Sequence, residues 1–259
     1  MTTSHPSAST SRHSLLAAGP ATPTVGLIAD ASVAAPAGHV ADRLGLGLAV
    51  FDPATDDGGD LAAMLAFAAA CDAVSVDPAV VGVDRLPPEH LDALRDAGHR
   101  VWPDPVVVRL SQDRAVARHA LGTAGFPVVT ADGAPAGGAP AGANLSVVVA
   151  RRPSGWWRAR VAAPAGRGPV LRAPTLADAR ALAASVADGL GATGSLAVDL
   201  VLGPSGDLAV AGVTAGPRPP AALGGAALED HLRALLDRPF AATPHPGPGQ
   251  QGPAVAARS

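Results

Sequence analysis

Few side chains in this sequence stand where chemistry could be done. Asp52 closes one apolar run, "GLAVF", at its C-terminal end. A carboxylate at a strand end of an open α/β sheet is placed for a ligand, and equally for capping a turn. Arg218 stands between prolines in "PRPP", a stiff loop from which a guanidinium could meet a phosphate or a carboxylate. Asp199 alternates with Val198 and Leu200, as a solvent-facing strand carboxylate does. Gln112, Asp113 and Arg114 form a polar cluster suited to a helix start. His231, in "EDHLR", reads as a surface position of a helix.

The residue types exclude several reactions. All 19 cationic residues are arginines, and tyrosine is absent too. No Schiff base, Walker-type lysine or lysine phosphate clamp can form. The first βα turn, "GLIADASVAA", has no G-x-G-x-x-G dinucleotide fingerprint. The eight histidines are dispersed, with no H-x-x-x-H pair, and no G-x-S-x-G nucleophile motif occurs. The single cysteine, Cys71, excludes an intramolecular disulfide and a cysteine zinc site. Its neighbours, "AFAAACDAV", suit a small buried residue. A net charge of −3 without a basic run argues against a nucleic-acid surface. The longest apolar run, "LAAMLAFAAAC", is about half a bilayer span. These features predict a soluble, cytoplasmic protein without membrane contact. The first residues and the last, "ATPHPGPGQQGPAVAARS", read as solvated tails.

The elements that must position these residues follow from periodicity. Strands are expected at 24–29, 47–51 and 73–76, and a short one at "HRVW". Helices are expected at 38–45, 60–70 and 87–98. This alternation gives βαβ units and a parallel sheet. From Pro103 the pattern changes. One helical stretch covers "PVVVRLSQDRAVARHALGTAG", followed by a strand "FPVVT". "NLSVVVARR" and "GWWRARVAA" suit antiparallel strands, with Trp156 and Trp157 packing the hairpin. A helix at 175–192, a hairpin around Gly203–Gly206 and a last helix at 227–240 complete the chain. Between the halves lies "GAPAGGAPAGA" (133–143). Its prolines remove donors and a strand follows it, so it reads as a linker and not as a phosphate loop.

Whole segments resemble the N5-carboxyaminoimidazole ribonucleotide synthetases, ATP-grasp enzymes of purine biosynthesis. Residues 25–53 follow the family's opening strand, turn, helix and "LDP" strand end. Residues 101–128 are similar to its "QDR" helix, and "NLSVVVARRPSG" is similar to its "ELSVIVAR…G". The closing hairpin, "PRP" and "LEDHLRA" resemble its last segments. The resemblance implies a Rossmann-like open parallel sheet at 24–103, then a truncated ATP-grasp-type α+β unit at 104–240, flanked by tails 1–23 and 241–259. Residues 131–143 would replace the lid subdomain. ATP and Mg²⁺ are the implied cofactors. The implied ligand is aminoimidazole ribonucleotide or another small phosphorylated molecule, and related enzymes suggest a homodimer.

Matched residue by residue, the resemblance makes Arg118 and Arg218 nucleotide contacts, Asp77 a substrate contact and Asp199 a metal carboxylate. Asp52 joins Asp77 as a substrate contact from its strand-end position. The family's glycine-rich turn becomes Ala29–Ala34, with Asp30 set to repel a phosphate. Two further metal-site positions become Ala211 and Gly212. No catalytic residue is assigned. Three readings stay open: a degenerate member without the ligase reaction, a reduced but active ligase, and a binding or structural module.

Overall fold

Four short apolar runs and the helices between them build the first sheet. The structure is a computed structural model describing residues 22–56, 60–82, 86–129, 143–162, 172–203, 205–218, 220 and 222–241. Strands β1 (Thr24–Ile28), β2 (Gly47–Phe51), β3 (Ala73–Val76) and β4 (Val101–Trp102) run parallel in the order β2-β1-β3-β4. The central β3 is apolar but for Ser75 and buried along its length, as a strand covered on both faces must be. Helices α1 (Ala31–Leu44), α2 (Leu61–Ala69) and α3 (Pro88–Asp96) connect the strands.

Helix α1 begins well before the expected residue 38. The Asp30 carboxylate accepts the Ser32 amide at 2.9 Å and caps the first turn, and alanines favour propagation. Pro36 inside the helix is exposed, so its ring faces solvent. From Ala31 on, the segment matched to a glycine-rich turn is therefore helix.

The second sheet is antiparallel, in the order β6-β5-β7-β8. Its strands are β5 (Ala143–Arg151), β6 (Trp157–Ala162), β7 (Gly194–Leu202) and β8 (Leu208–Ala215). Helices α4 (Pro105–Gln112), α5 (Arg114–Thr123) and α6 (Ala173–Gly189) cover one face. There Val107, Leu121 and Ala183 meet Leu145, Val147, Leu196 and Val198. The single helix expected from Pro105 onward breaks at Asp113, whose carboxylate accepts the amides of Ala115 and Val116 at 2.8 and 3.1 Å. That confirms the helix-start reading of the polar cluster. The strand expected at "FPVVT" shrinks to one bridge between Val128 and Val210, Thr130 lying outside the described residues. Trp156 is 70% exposed, so it does not pack the hairpin as expected. Cys71 is half-buried, its thiol directed at the Phe67 carbonyl and its pKa raised by burial.

Helix α7 (Gly224–Leu235) joins the two sheets. Leu228, Leu232 and Leu235 pack into the cluster of Val25, Leu27 and Val40 from β1 and α1. The helix also lies against β7 and β5. The linker at 131–142 and the tails, apart from Thr22, Pro23 and Ala241, lie outside the described residues. No helix among the described residues is long and apolar enough to cross a membrane.

Candidate functional site

The C-terminal ends of β1 and β3 lie side by side, and each is followed by an aspartate. Asp77 caps the 3-10 turn Pro78–Val80, its carboxylate accepting the Ala79 amide at 3.0 Å. Asp30 caps α1 as described. Between these carboxylates lies the guanidinium of Arg218, from the loop after β8. Its Nε and Nη2 donate to Asp77 Oδ2 at 3.1 and 2.8 Å, and Nη2 also donates to Asp30 Oδ2 at 3.1 Å. Nη1 donates to Ser32 Oγ at 3.1 Å, and that hydroxyl donates to Asp30 Oδ1 at 2.5 Å. Three elements from both sheets thus meet at one cation.

The loop reaches this position through Gly216, at φ +103°, where a Cβ would lie 2.9 Å from the Val76 carbonyl and from Pro78 Cδ. Only glycine fits such an approach in that backbone region. The Asp77 side chain is 3% exposed, against 43% for Arg218 and 38% for Asp30. The Ser32 hydroxyl bond, followed by Arg218, holds the Asp30 carboxyl below its ordinary range despite some desolvation. The hydrogen bonds to Asp77 raise the Arg218 pKa further, so this cation persists at every relevant pH.

Asp199 sits apart from this cluster, on β7, in register with Ser146 on β5 and Gly212 on β8. Among the described residues its cationic partner is Arg114, with Nη2 3.5 Å from Asp199 Oδ2 and its stem about 3.5 Å from where a Gly212 Cβ would stand. A lone carboxylate beside a guanidinium does not fit Mg²⁺, which is held by carboxylates together with phosphates and waters. Among the described residues no group of three histidine, cysteine, aspartate or glutamate side chains could hold a metal ion. Arg118 lies one turn beyond Arg114 on α5, half-buried. Asp52 belongs to neither group. Its amide donates to Asp56 at 2.9 Å and its carboxylate accepts the Ala54 amide at 3.0 Å, so it caps a turn.

This two-sheet arrangement recurs in solved structures. The fold is that of the N5-carboxyaminoimidazole ribonucleotide synthetases. The enzyme from Thermotoga maritima superposes with a TM-score of 0.70 at 18% identity, over 85% of this chain and 77% of that one. The Aspergillus clavatus N5-carboxyaminoimidazole synthase, in complex with ADP and 5-aminoimidazole ribonucleotide, gives 0.66 at 13% identity, over 85% and 78%. The Thermus thermophilus enzyme gives 0.65 at 16%, over 84% and 79%. No protein-family model and no curated protein matches the sequence. The expected fold class, a Rossmann-like parallel sheet followed by an ATP-grasp-type α+β unit, is therefore correct.

Sequence reasoning missed two features here. Asp30 was expected to repel an incoming phosphate, and it also draws in Arg218. Asp-x-Ser before an alanine-rich segment carried the helix-start signal. His231, expected at the surface, is 1% exposed. Its Nε2 lies 2.8 Å from Ser75 Oγ, while Nδ1 accepts the Ser195 amide at 2.8 Å. A backbone N–H can only donate, so Nδ1 carries the lone pair and Nε2 the proton. This ring therefore donates to Ser75 and cannot take its proton, which excludes a serine–histidine nucleophile.

Proposed function

We propose that this chain is a non-catalytic relative of the N5-carboxyaminoimidazole ribonucleotide synthetases, keeping their scaffold without ATP-dependent carboxylation of aminoimidazole ribonucleotide. The observation that carries this reading is how the site carboxylates are paired. Asp77 and Asp30 share Arg218, and Asp199 pairs with Arg114. Phosphoryl transfer relies on positioning and on charge neutralisation by metal and cationic donors, and here those charges are spent within the protein. A phosphorylated ligand at the ends of β1 and β3 must first detach Arg218 from two carboxylates.

Calorimetry with MgATP, with and without aminoimidazole ribonucleotide, tests the reading. No binding heat in either titration is expected. Saturable micromolar MgATP binding with ADP release in the presence of aminoimidazole ribonucleotide would overturn it and restore an active, reduced ligase.

A further inference from the structure

Among the described residues, His231 is a ring that bonds both sheets at once. Ser75 belongs to β3 of the parallel sheet and Ser195 to β7 of the antiparallel sheet. The helix carrying the ring packs against β1 and α1 through its leucines and against β7 through its other side. Both ring nitrogens are satisfied, and the fit is tight. A Cβ at Gly194, at φ +75°, would lie 2.9 Å from the ring Cε1, so this position admits only glycine beside the imidazole.

We propose that His231 is a proton-operated lock between the two sheets: the neutral ring bonds both, and a proton on Nδ1 opens the junction. The step adds one proton and breaks one hydrogen bond. Once protonated, Nδ1–H points at the Ser195 N–H, donor against donor, and among the described residues no free counter-charge bonds the ring. The charged groups around the ring are already committed. On α7 itself, Asp230 is held by Arg158 and Arg160 of β6, and Glu229 by Arg233 and by Arg43 of α1. Asp237 pairs with Arg152 beyond β5, and Arg100, just before β4, donates to the Leu235 carbonyl. Arg238, beyond α7, donates to the Leu44 carbonyl at the end of α1. Beyond β3, Asp77 is held by Arg218. None of these groups hydrogen-bonds the imidazole.

Burial alone pushes this histidine down to about 4 from its ordinary value near 6.5. Between those values an opened junction binds a proton that the closed one refuses, so opening is favoured as pH falls. The charged tie at Arg218 resists in this window, since the Asp30 carboxyl titrates below its ordinary range. This proposal does not depend on the loss of ligase activity.

Amide hydrogen exchange of the intact protein, read at Ser195 and along α7, tests the lock. After correction for intrinsic exchange, protection at these amides should fall about tenfold per pH unit between roughly 6 and 4. The helix-covered core of β5 should fall less steeply. In His231→Gln the steep dependence should vanish while exchange at neutral pH rises. Should that variant not fold, the wild-type histidine resonances decide. The resonance assigned to His231 should titrate only near 4, together with the amide shifts of Ser195. Flat protection at Ser195 from pH 6 to 4, or a His231 resonance titrating at its ordinary value near 6.5, would overturn the proposal.

Discussion

Among the arginines that hold aspartates in this protein, Arg218 and Arg114 make pairs that are not equivalent. Arg218 makes four hydrogen bonds, two of them to Asp77, a side chain almost wholly removed from water. Arg114 lies 3.5 Å from Asp199, with the arginine side chain 73% and the aspartate side chain 36% exposed. The first pair cannot be dissolved without stranding a buried charge. The second exchanges one hydrated partner for another. Burial, more than distance, separates a latch from a surface contact.

Removing the latch should have the larger effect. Arg218→Ala leaves Asp77 buried, with the Ala79 amide alone among the described residues to satisfy it. Breaking a fully buried pair costs about 3–5 kcal/mol, and solvent access to Arg218 reduces the expected loss to ~2–3 kcal/mol. A lower denaturant midpoint at unchanged m-value is the measurement. Arg218→Lys should recover only part of it, because a point charge cannot serve Asp77, Asp30 and Ser32 together. A loss below ~0.5 kcal/mol for Arg218→Ala would place the junction's strength in α7 and not in this cation.

A smaller effect should sharpen the same contrast through pH. Asn caps helices about as well as Asp, so Asp30→Asn keeps the start of α1 and removes the charge facing Arg218. The folded Asp30 pKa is depressed, so its contribution is present above the unfolded value near 3.9 and is lost as pH falls through the lower folded value. The melting-temperature gap between wild type and Asp30→Asn should hold from pH 7 to about 5 and close in stronger acid. A gap surviving at pH 2 would assign the effect to shape and not to charge. This limb lies below the window in which His231 titrates, so the two ties across the junction should fail in sequence.

What the sequence made legible follows from what local pattern encodes. β2 and β3 stand where their apolar runs ended, and the parallel order followed from strand–helix alternation. Arg218, Asp77 and Asp199 were each singled out, but the pairings they make were not. The pairing of Arg218 with Asp77 closes a loop between residues remote in the chain and belonging to different sheets, and no local periodicity records it. The burial of His231 was hidden for a related reason. "EDHLR" is a polar sequence, yet α7 is wedged between two sheets, so a helix face that would meet solvent in isolation meets β3 and β7 instead. Asp230, its neighbour, is buried by the same wedge and is neutralised by Arg158 and Arg160. In both cases polar residues are inside because a second layer arrives from far along the chain.

The smallest effect is expected at the other sheet. Arg114→Ala removes a screened surface pair, which contributes at most ~0.5 kcal/mol, and in 1 M salt, where the Debye length is about 3 Å, that difference should disappear. The stem of Arg114 also covers Gly212, so the substitution removes packing as well as charge. Salt separates the two, because a packing loss persists when charges are screened. Thermal melts of Arg114→Ala and wild type at 0.1 M and 1 M salt therefore decide what holds Arg114 at this edge. A difference present only at low salt makes Asp199 its anchor. A difference above ~1 kcal/mol at both would mean that the arginine is held by its stem against β8, with the ion pair incidental to its position.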